Sequence, residues 1–383
     1  MKSSPALEAA YRNYLAATHL KPQVTALPEP QVSWTHFLEQ VQTRTGPQEN
    51  AFLISQSIPW FGKLKLRGEA ASHQAEAARH RFEETRIKLV EEVALAWLDY
   101  AYLAKETTIT DDSRDLLAKL VPITEEQIRT GAPLTRKLTL ELALGRMESR
   151  LDDLSGRRTE SSARLRAAMG ESSAEAKPLP WPTLPEGDTS IDEDFADFAR
   201  ELRARHPLLA ALDEEISKAD SNARLAHKNA IPDPTIGANV IDIGGQGDTA
   251  AGIMIGFRIP LAFKKYRAER AEAVERKAAA EAKRADAETK LLAELTGAWE
   301  RLLSQARTVK RYRSELLPAA EQIIEVSEAS YRADSATIRD VIDDQREALD
   351  VRRNYWRAIA DFHSAAIRLE TLAGNPDPSL SLP

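Results

Sequence analysis

The sequence predicts a mixed α+β chain made of two tandem copies of one unit, in which paired strands feed directly into a very long helix. Three observations predict it. The stretch Ile58-Pro59-Trp60-Phe61-Gly62-Lys63 joins a period-two segment beginning at Phe52 to a helical pattern running from Leu64 to about Ile128. The same joint recurs as Ile259-Pro260-Leu261-Ala262-Phe263-Lys264, again with a strand before it and a long helix after it. Finally, charged residues make up 29% of the 383 residues and aromatics only 6%, with Ala, Glu, Arg and Leu dominating the long segments, a composition that suits long helices.

The duplication is legible in landmarks kept at a near-constant spacing. Pro28-Glu29-Pro30 answers Pro232-Asp233-Pro234, Ile58-Pro59 answers Ile259-Pro260, and Ala96-Trp97 answers Ala298-Trp299. Ser4-Pro5-Ala6-Leu7 answers His206-Pro207-Leu208-Leu209, Arg129-Thr130-Gly131 answers Arg332-Ala333-Asp334, and Gly170 answers Gly374. Six pairs thus keep offsets of 201 to 204 residues over nearly the whole chain.

Taken in order, the first repeat (1–176) opens with a helix over 5–24, with Pro5 in its first turn. Strands follow over 31–43 and 52–60, turned at Gly46-Pro47. Phe52, Ile54, Ile58 and Trp60 share one face, and Leu53, Ser55 and Ser57 the other. Proline cannot donate to a sheet ladder, so Pro59 marks where pairing stops and a helix can begin. One long helix over 64–128 and a returning helix over 134–169 complete the unit. Residues 177–205, with Pro178, Pro180, Pro182 and Pro185, read as an irregular belt over Lys177–Asp188 and a linker beyond it.

The second repeat (206–376) reads as a helix over 206–229, strands over 235–243 and 251–260, a long helix over 264–331 and a returning helix over 337–373; 377–383 is a tail. Ile253, Ile255, Phe257 and Ile259 share a face, and Gly252, Met254, Gly256 and Arg258 the opposite one. Gly244-Gly245-Gln246-Gly247-Asp248 reads as the exposed hairpin turn, and because no helix opens after it, it is not a phosphate loop. Leu292, Trp299 and Ala306, with Leu295, Leu302 and Val309, form a heptad seam suited to left-handed packing. At 1.5 Å per residue a ~65-residue helix spans ~98 Å, close to the two shorter helices of a repeat laid end to end.

Several function classes are excluded. A net charge of −7 argues against non-specific nucleic-acid binding, and the lack of cysteine removes disulfides, thiolate metal sites and a cysteine nucleophile. The seven histidines (19, 36, 73, 80, 206, 227, 363) show no metal-ligand pairing beyond the loose His73 and His80, and no catalytic triad pattern exists, so neither metal, cofactor nor enzyme is expected. No apolar run is long enough for a transmembrane helix. Met1-Lys2-Ser3-Ser4-Pro5 lacks the apolar core of a signal peptide, so the expectation is either a cytoplasmic chain or a leader missing from this sequence.

The joint Gln56-Ser57-Ile58-Pro59-Trp60-Phe61-Gly62-Lys63, the Pro-acid-Pro triplets, Arg129-Thr130-Gly131-Ala132-Pro133-Leu134 and Ile338-Arg339-Asp340-Val341-Ile342-Asp343 together resemble the TolC-like outer-membrane efflux proteins, over about residues 5–376. The Pro-Trp-Phe-Gly-Lys form looks most like the family's heavy-metal-resistance branch. The resemblance implies a homotrimer whose four strands per chain build a 12-stranded β-barrel in the bacterial outer membrane, continued by a coiled-coil α-barrel through the periplasm. It implies an exit duct for metal ions or drugs, docked by a periplasmic adaptor (membrane fusion) protein and an inner-membrane pump such as an RND transporter. Four strands have open edges and cannot span lipid alone, whereas a closed barrel has none, which supports the same reading independently. Type I protein secretion and a soluble coiled-coil scaffold are the alternatives.

Within that resemblance, the turns carrying Arg129, Thr130, Gly131, Ala132, Pro133 and Leu134, and Arg332, Ala333, Asp334 and Ser335, are the adaptor-docking tips. Asp334 stands where glycine is common, which makes the second tip the less regular of the two. Asp340, Asp343 and Asp344 lie on one helical turn just past it, where three chains would gather carboxylates into a cation-attracting constriction. The alternative is an ordinary solvated acidic face. Lys137 answers Asp340 in the first repeat, so the ring comes from the second repeat alone. Trp34, Trp60 and Phe257 are the aromatics expected at the membrane interface against outer-membrane lipid.

Overall fold

The computed structural model describes residues 4–44, 46–171, 177–187, 189–191, 194–244 and 249–377. Apart from Gly244, the expected hairpin turn lies outside the described residues, as do Asp188 of the belt and nearly all of the tail. In chain order the elements begin with α1 (Pro5–Thr18), α2 (Leu20–Thr25), β1 (Gln31–Thr43), β2 (Gly46–Ser57), α3 (Lys63–Ala118), α4 (Val121–Arg129) and α5 (Thr135–Ala168). There follow α6 (Phe195–Arg205), α7 (Pro207–Asn229), β3 (Pro234–Ile243), β4 (Ala250–Phe257), α8 (Phe263–Arg311), a π-helical turn (Tyr312–Leu316), α9 (Leu317–Arg332) and α10 (Ile338–Leu372).

Three helices expected to be continuous are interrupted, and the same residue type does it each time. A proline ring collides with the carbonyl four residues back and cannot donate to it. The helix expected over 5–24 stops at Thr18, four residues before Pro22; the helix expected over 64–128 stops at Ala118, four before Pro122. In the helix expected over 264–331, Ser314 is the fourth residue before Pro318, and there the chain widens into the π turn without ending. The second strands also end earlier than read: β2, which starts sooner, at Gly46, ends at Ser57 and β4 at Phe257, so Ile58, Trp60, Arg258 and Ile259 lie beyond the ladder.

The residues fall into two compact units, and each draws on both halves of the sequence. One unit holds 10–82 and 207–287; its centre is an antiparallel sheet ordered β1-β2-β3-β4. Phe52 lies opposite Trp34 and Val240, and Ile54 opposite Val32 and Ala238, so their shared face runs across the sheet. Ala238 then faces Ile253, and Ile236 faces Ile255. The reverse face carries Ser33, Leu53, Ser55, Gly237, Asn239, Gly252 and Gly256, mostly small or polar. The expected division of faces therefore holds within the strands.

The other unit holds 4–9, 83–206 and 288–377 among the described residues, and is helical. Leu295, Leu302 and Val309 are buried along α8 as the heptad requires, but the second column is Leu291 and Ala298, one residue before Leu292 and Trp299. Trp299 turns instead toward α6, with its ring 5.9 Å from Phe198 and 6.3 Å from Phe195. Helix α6 was expected to be linker; Phe198, Ala199 and Leu202 bury one face of it at helical spacing. Residues 177–187 form neither helix nor strand, and their backbone polar groups are met by side chains. Leu179 accepts from Tyr100 Oη at 2.5 Å and donates to Ser162 Oγ at 2.8 Å, and Pro185 O lies 3.3 Å from His363 Nε2.

Candidate functional site

The two turns expected as docking tips are built alike. After α4, Gly131 N donates to Ile128 O at 3.1 Å and Ala132 N to Gln127 O at 2.9 Å, with Gly131 at φ +112°. After α9, Asp334 N donates to Tyr331 O at 3.1 Å and Ser335 N to Ser330 O at 2.9 Å, with Asp334 at φ +56°. Both are helix ends closed by a left-handed residue and paired backbone bonds. Asp334 occupies a conformation that glycine adopts freely and aspartate tolerates. Arg129 is exposed and pairs with Glu126; Thr130 Oγ1 turns back to Gln127 O at 2.9 Å. Pro133, Leu134, Arg332, Ala333 and Ser335 are solvent-facing, and Ala132 half-buried.

Side chains bind the two turns together. Arg136 Nη1 donates to Asp334 Oδ1 at 2.7 Å and to Gln127 Oε1 at 2.9 Å, while Gln127 Nε2 donates to Tyr331 O at 3.1 Å. Beneath them the Thr124 hydroxyl meets the Tyr331 hydroxyl at 2.7 Å, above a core of Leu117, Leu120, Leu140, Ile338, Val341 and Ile342. Sequence reading passed over Arg136, because a lone arginine in a helix's first turn carries no pattern. Beside it, Lys137 Nζ sits 2.8 Å from Glu125 Oε1, and that hydrogen bond, with its charge, holds the Glu125 carboxyl below its usual range.

The three aspartates share one turn of α10 but have different surroundings. Asp340 caps the helix: Thr337 N donates to Asp340 Oδ2 at 2.9 Å and Asp340 N to Thr337 Oγ1 at 3.3 Å. The Thr337 hydroxyl, then its amide, holds the Asp340 carboxyl below its ordinary range, opposite in direction to what crowding with like charges would do. Asp343 pairs with Arg346 at 3.0 Å. Asp344 is half-buried and free of ion pairs among the described residues.

In the sheet-bearing unit the apolar face lies open. Trp34 is 63% exposed, Ile253 87% and Phe257 59%. Toward the hairpin end this face changes to a polar row: Asn50 Oδ1 accepts from Trp34 Nε1 at 3.3 Å and lies 3.0 Å from His36 Nδ1, and Asn50 Nδ2 donates to Asp242 Oδ2 at 3.2 Å. Toward the helices, Trp60 packs edge-on against Phe61, the ring centres 5.9 Å apart, with Phe61 and Leu261 exposed nearby. The apolar band is thus bounded by polar side chains at one end and aromatic ones at the other. No helix among the described residues is long and apolar enough to cross a membrane.

The joint itself is locked. Lys63 is buried and its Nζ donates to Asp233 Oδ1 at 2.7 Å and Ile231 O at 2.8 Å; Asp233 Oδ1 also accepts from Trp60 N at 2.7 Å. A pattern of equivalent joints signalled Lys63, but not the acid it would meet.

Comparison with known proteins follows the same lines. A family model described as outer membrane efflux protein matches residues 198–375. No curated protein matches the chain. Among solved structures, the outer-membrane channel OprN is similar at 15% identity and a TM-score of 0.79, covering 98% of this chain and 88% of that one. The outer membrane protein VceC of Vibrio cholerae is similar at 17% identity and a TM-score of 0.78, covering 97% and 93%. The open-state outer membrane channel MtrE of Neisseria gonorrhoeae is similar at 13% identity and a TM-score of 0.76, covering 98% and 87%. Residues 198–375 are thus similar to the outer membrane efflux protein family, and the chain as a whole has the fold of these outer-membrane channels.

Proposed function

We propose that this protein is the outer-membrane exit duct of a tripartite efflux system. Three copies close their sheets into a twelve-stranded barrel, and the helices continue it as a water-filled conduit into the periplasm. The observation that carries this reading is the sheet: among the described residues, four strands with two unpaired edges and one face bearing an exposed apolar band. Backbone groups at such edges are unsatisfied in hydrocarbon, and only closure removes the edges. Small and polar side chains on the reverse face suit a wet lumen.

A periplasmic adaptor docks on the two turns, which present Arg129 to Leu134 and Arg332 to Ser335, and an inner-membrane pump supplies the energy. Asp340, Asp343 and Asp344, brought together from three copies, narrow the periplasmic mouth and favour cations. Trp34, Trp60 and Phe257 meet outer-membrane lipid at or near the interfaces. The test is conductance of purified protein in a planar bilayer. Stable pores whose cation preference falls in Asp343→Asn, Asp344→Asn support the ring. Pores with unchanged selectivity would remove the ring and leave the duct, and no pores at all would remove both.

A further inference from the structure

The two strand–helix joints share an isoleucine, a proline and a lysine at matching places, yet only one of them is closed. At the first, Lys63 is 3% exposed and bonded to Asp233, the acid of Pro232-Asp233-Pro234. At the second, Lys264 answers Lys63, and the acid answering Asp233 is Glu29 of Pro28-Glu29-Pro30. Both Lys264 and Glu29 are exposed, and neither has a partner among the described residues. The helices differ in the same way. Leu66, Ala70 and Ala71 are already buried at the start of α3, whereas α8 buries nothing before Leu291.

The first joint closes because β2 lies beside β3, which brings Lys63 to the acid preceding β3. Among the described residues no strand lies beside β4, and none lies beside β1's outer edge. In the closed barrel β4 of one copy lies beside β1 of a second copy of this chain, and we propose that Lys264 there closes on the second copy's Glu29 as Lys63 closes on Asp233. The inference rests on the duct reading and adds its register and its interchain lock. A contact of this head-to-tail kind is heterologous and closes into a ring where the rotation between copies fits, as the duct reading requires.

The register follows from the first joint. Within the chain Gln56 lies opposite Ile236, Ser55 opposite Gly237 and Ile54 opposite Ala238. Carrying β2 forward by 201 residues and β3 back by 204 places Phe257 opposite Val32, Gly256 opposite Ser33 and Ile255 opposite Trp34. An independent check is the face: Val32, Trp34, Ile255 and Phe257 all belong to the apolar side of the sheet, so the band runs on unbroken. A slip of one residue would turn one strand's apolar set into the lumen.

Cysteine cross-linking tests this cleanly, since the chain has no cysteine of its own. The pair Ser33→Cys, Gly256→Cys faces the small side of the sheet, and a Cβ at Gly256 meets nothing within 4 Å. Directly opposed strand residues come within disulfide reach. Mild oxidation of the full chain in detergent should give covalent species up to the trimer in this double variant. Neither single variant should do so, and Ser33→Cys with Met254→Cys, two residues out of register, should link far less. Separately, Glu29→Lys or Lys264→Glu should cut the oligomer surviving an unheated gel about tenfold, and the double reversal should restore it. An oligomer that conducts but does not link at 33 and 256, or is indifferent to charge reversal, overturns the joint and leaves the duct standing. A chain that forms no oligomer and no pore overturns both.

Discussion

Arg136 and Asp334 join the two helix-turn-helix ends of the helical unit: one arginine of α5 spans to the left-handed residue after α9, at 2.7 Å. Nothing else in the sequence of the second turn explains why an aspartate serves there. Its neighbour in kind, Gly131, has no side chain to reach across.

Removing that tie should loosen the second turn. Arg136 is 22% exposed and Asp334 67%, so solvent screens the pair and its loss costs about 0.5–1 kcal/mol. Arg136→Ala should therefore raise amide exchange across residues 330–337 several-fold while leaving α10 beyond Val341 unchanged. Unaltered exchange in that peptide would show that backbone bonds alone hold the turn.

Gly131→Val should destabilise the first turn by about 1–2 kcal/mol, because a β-branched residue is poorly tolerated at φ +112° although nothing crowds a Cβ there. Asp334→Gly isolates the other side of the balance: conformational relief against the lost ion pair. Urea melts of the two variants give the numbers, and a Gly131→Val protein as stable as its parent would contradict the assignment.

The α10 start should respond to acid. The Asp340 carboxyl is depressed by the Thr337 hydroxyl and amide, so its contribution is present above the ordinary carboxylate range and is lost as pH falls through its own value. Exchange at Ile338 to Val341 should rise between neutral pH and about pH 3. Asp340→Asn should show the raised exchange already at neutral pH. An Asp340→Asn protein with the parent's profile would mean that the cap contributes nothing.

His363 gives the opposite kind of group. It is wholly buried and desolvation lowers its pKa, so below about 6.5 the unfolded chain takes up a proton that the folded one resists. Stability should fall on acidification from pH 7.5 to 5.5, and His363→Leu should flatten part of that dependence. The residue also bonds to Pro185 O at 3.3 Å, so protease cleavage within 177–187 is a second readout.

At the first joint, Asp233→Asn should cost about 3 kcal/mol, because it leaves the buried Lys63 ammonium short of its counter-charge. Lys63→Met should cost less, since it removes the buried charge itself. Equal effects from the two would contradict the electrostatic account.

How much was visible beforehand depended on whether the physics is local or repeated. Strand faces follow from alternation of residues such as Ile253, Ile255 and Phe257, and the joints from two occurrences of Ile-Pro. The helix breaks were readable too: Pro22, Pro122 and Pro318 each act on the residue four before them, but a strong helical pattern on both sides masked them. Helix α6 was hidden by the proline-rich belt before it. Arg136 and the Glu106 cluster were not readable at all. Buried Glu106 gathers Arg150, Arg157 and Arg353 from two other helices, and only packing brings them together.

The most direct test of the duct is the protein mass of the detergent-extracted particle, measured by light scattering with the detergent contribution removed. The chain weighs 42.5 kDa, and a closed ring of twelve strands requires three copies in every particle. A particle of three chain masses that precipitates when detergent is withdrawn is the expected result. A single chain of 42.5 kDa, stable in plain buffer, would contradict the barrel.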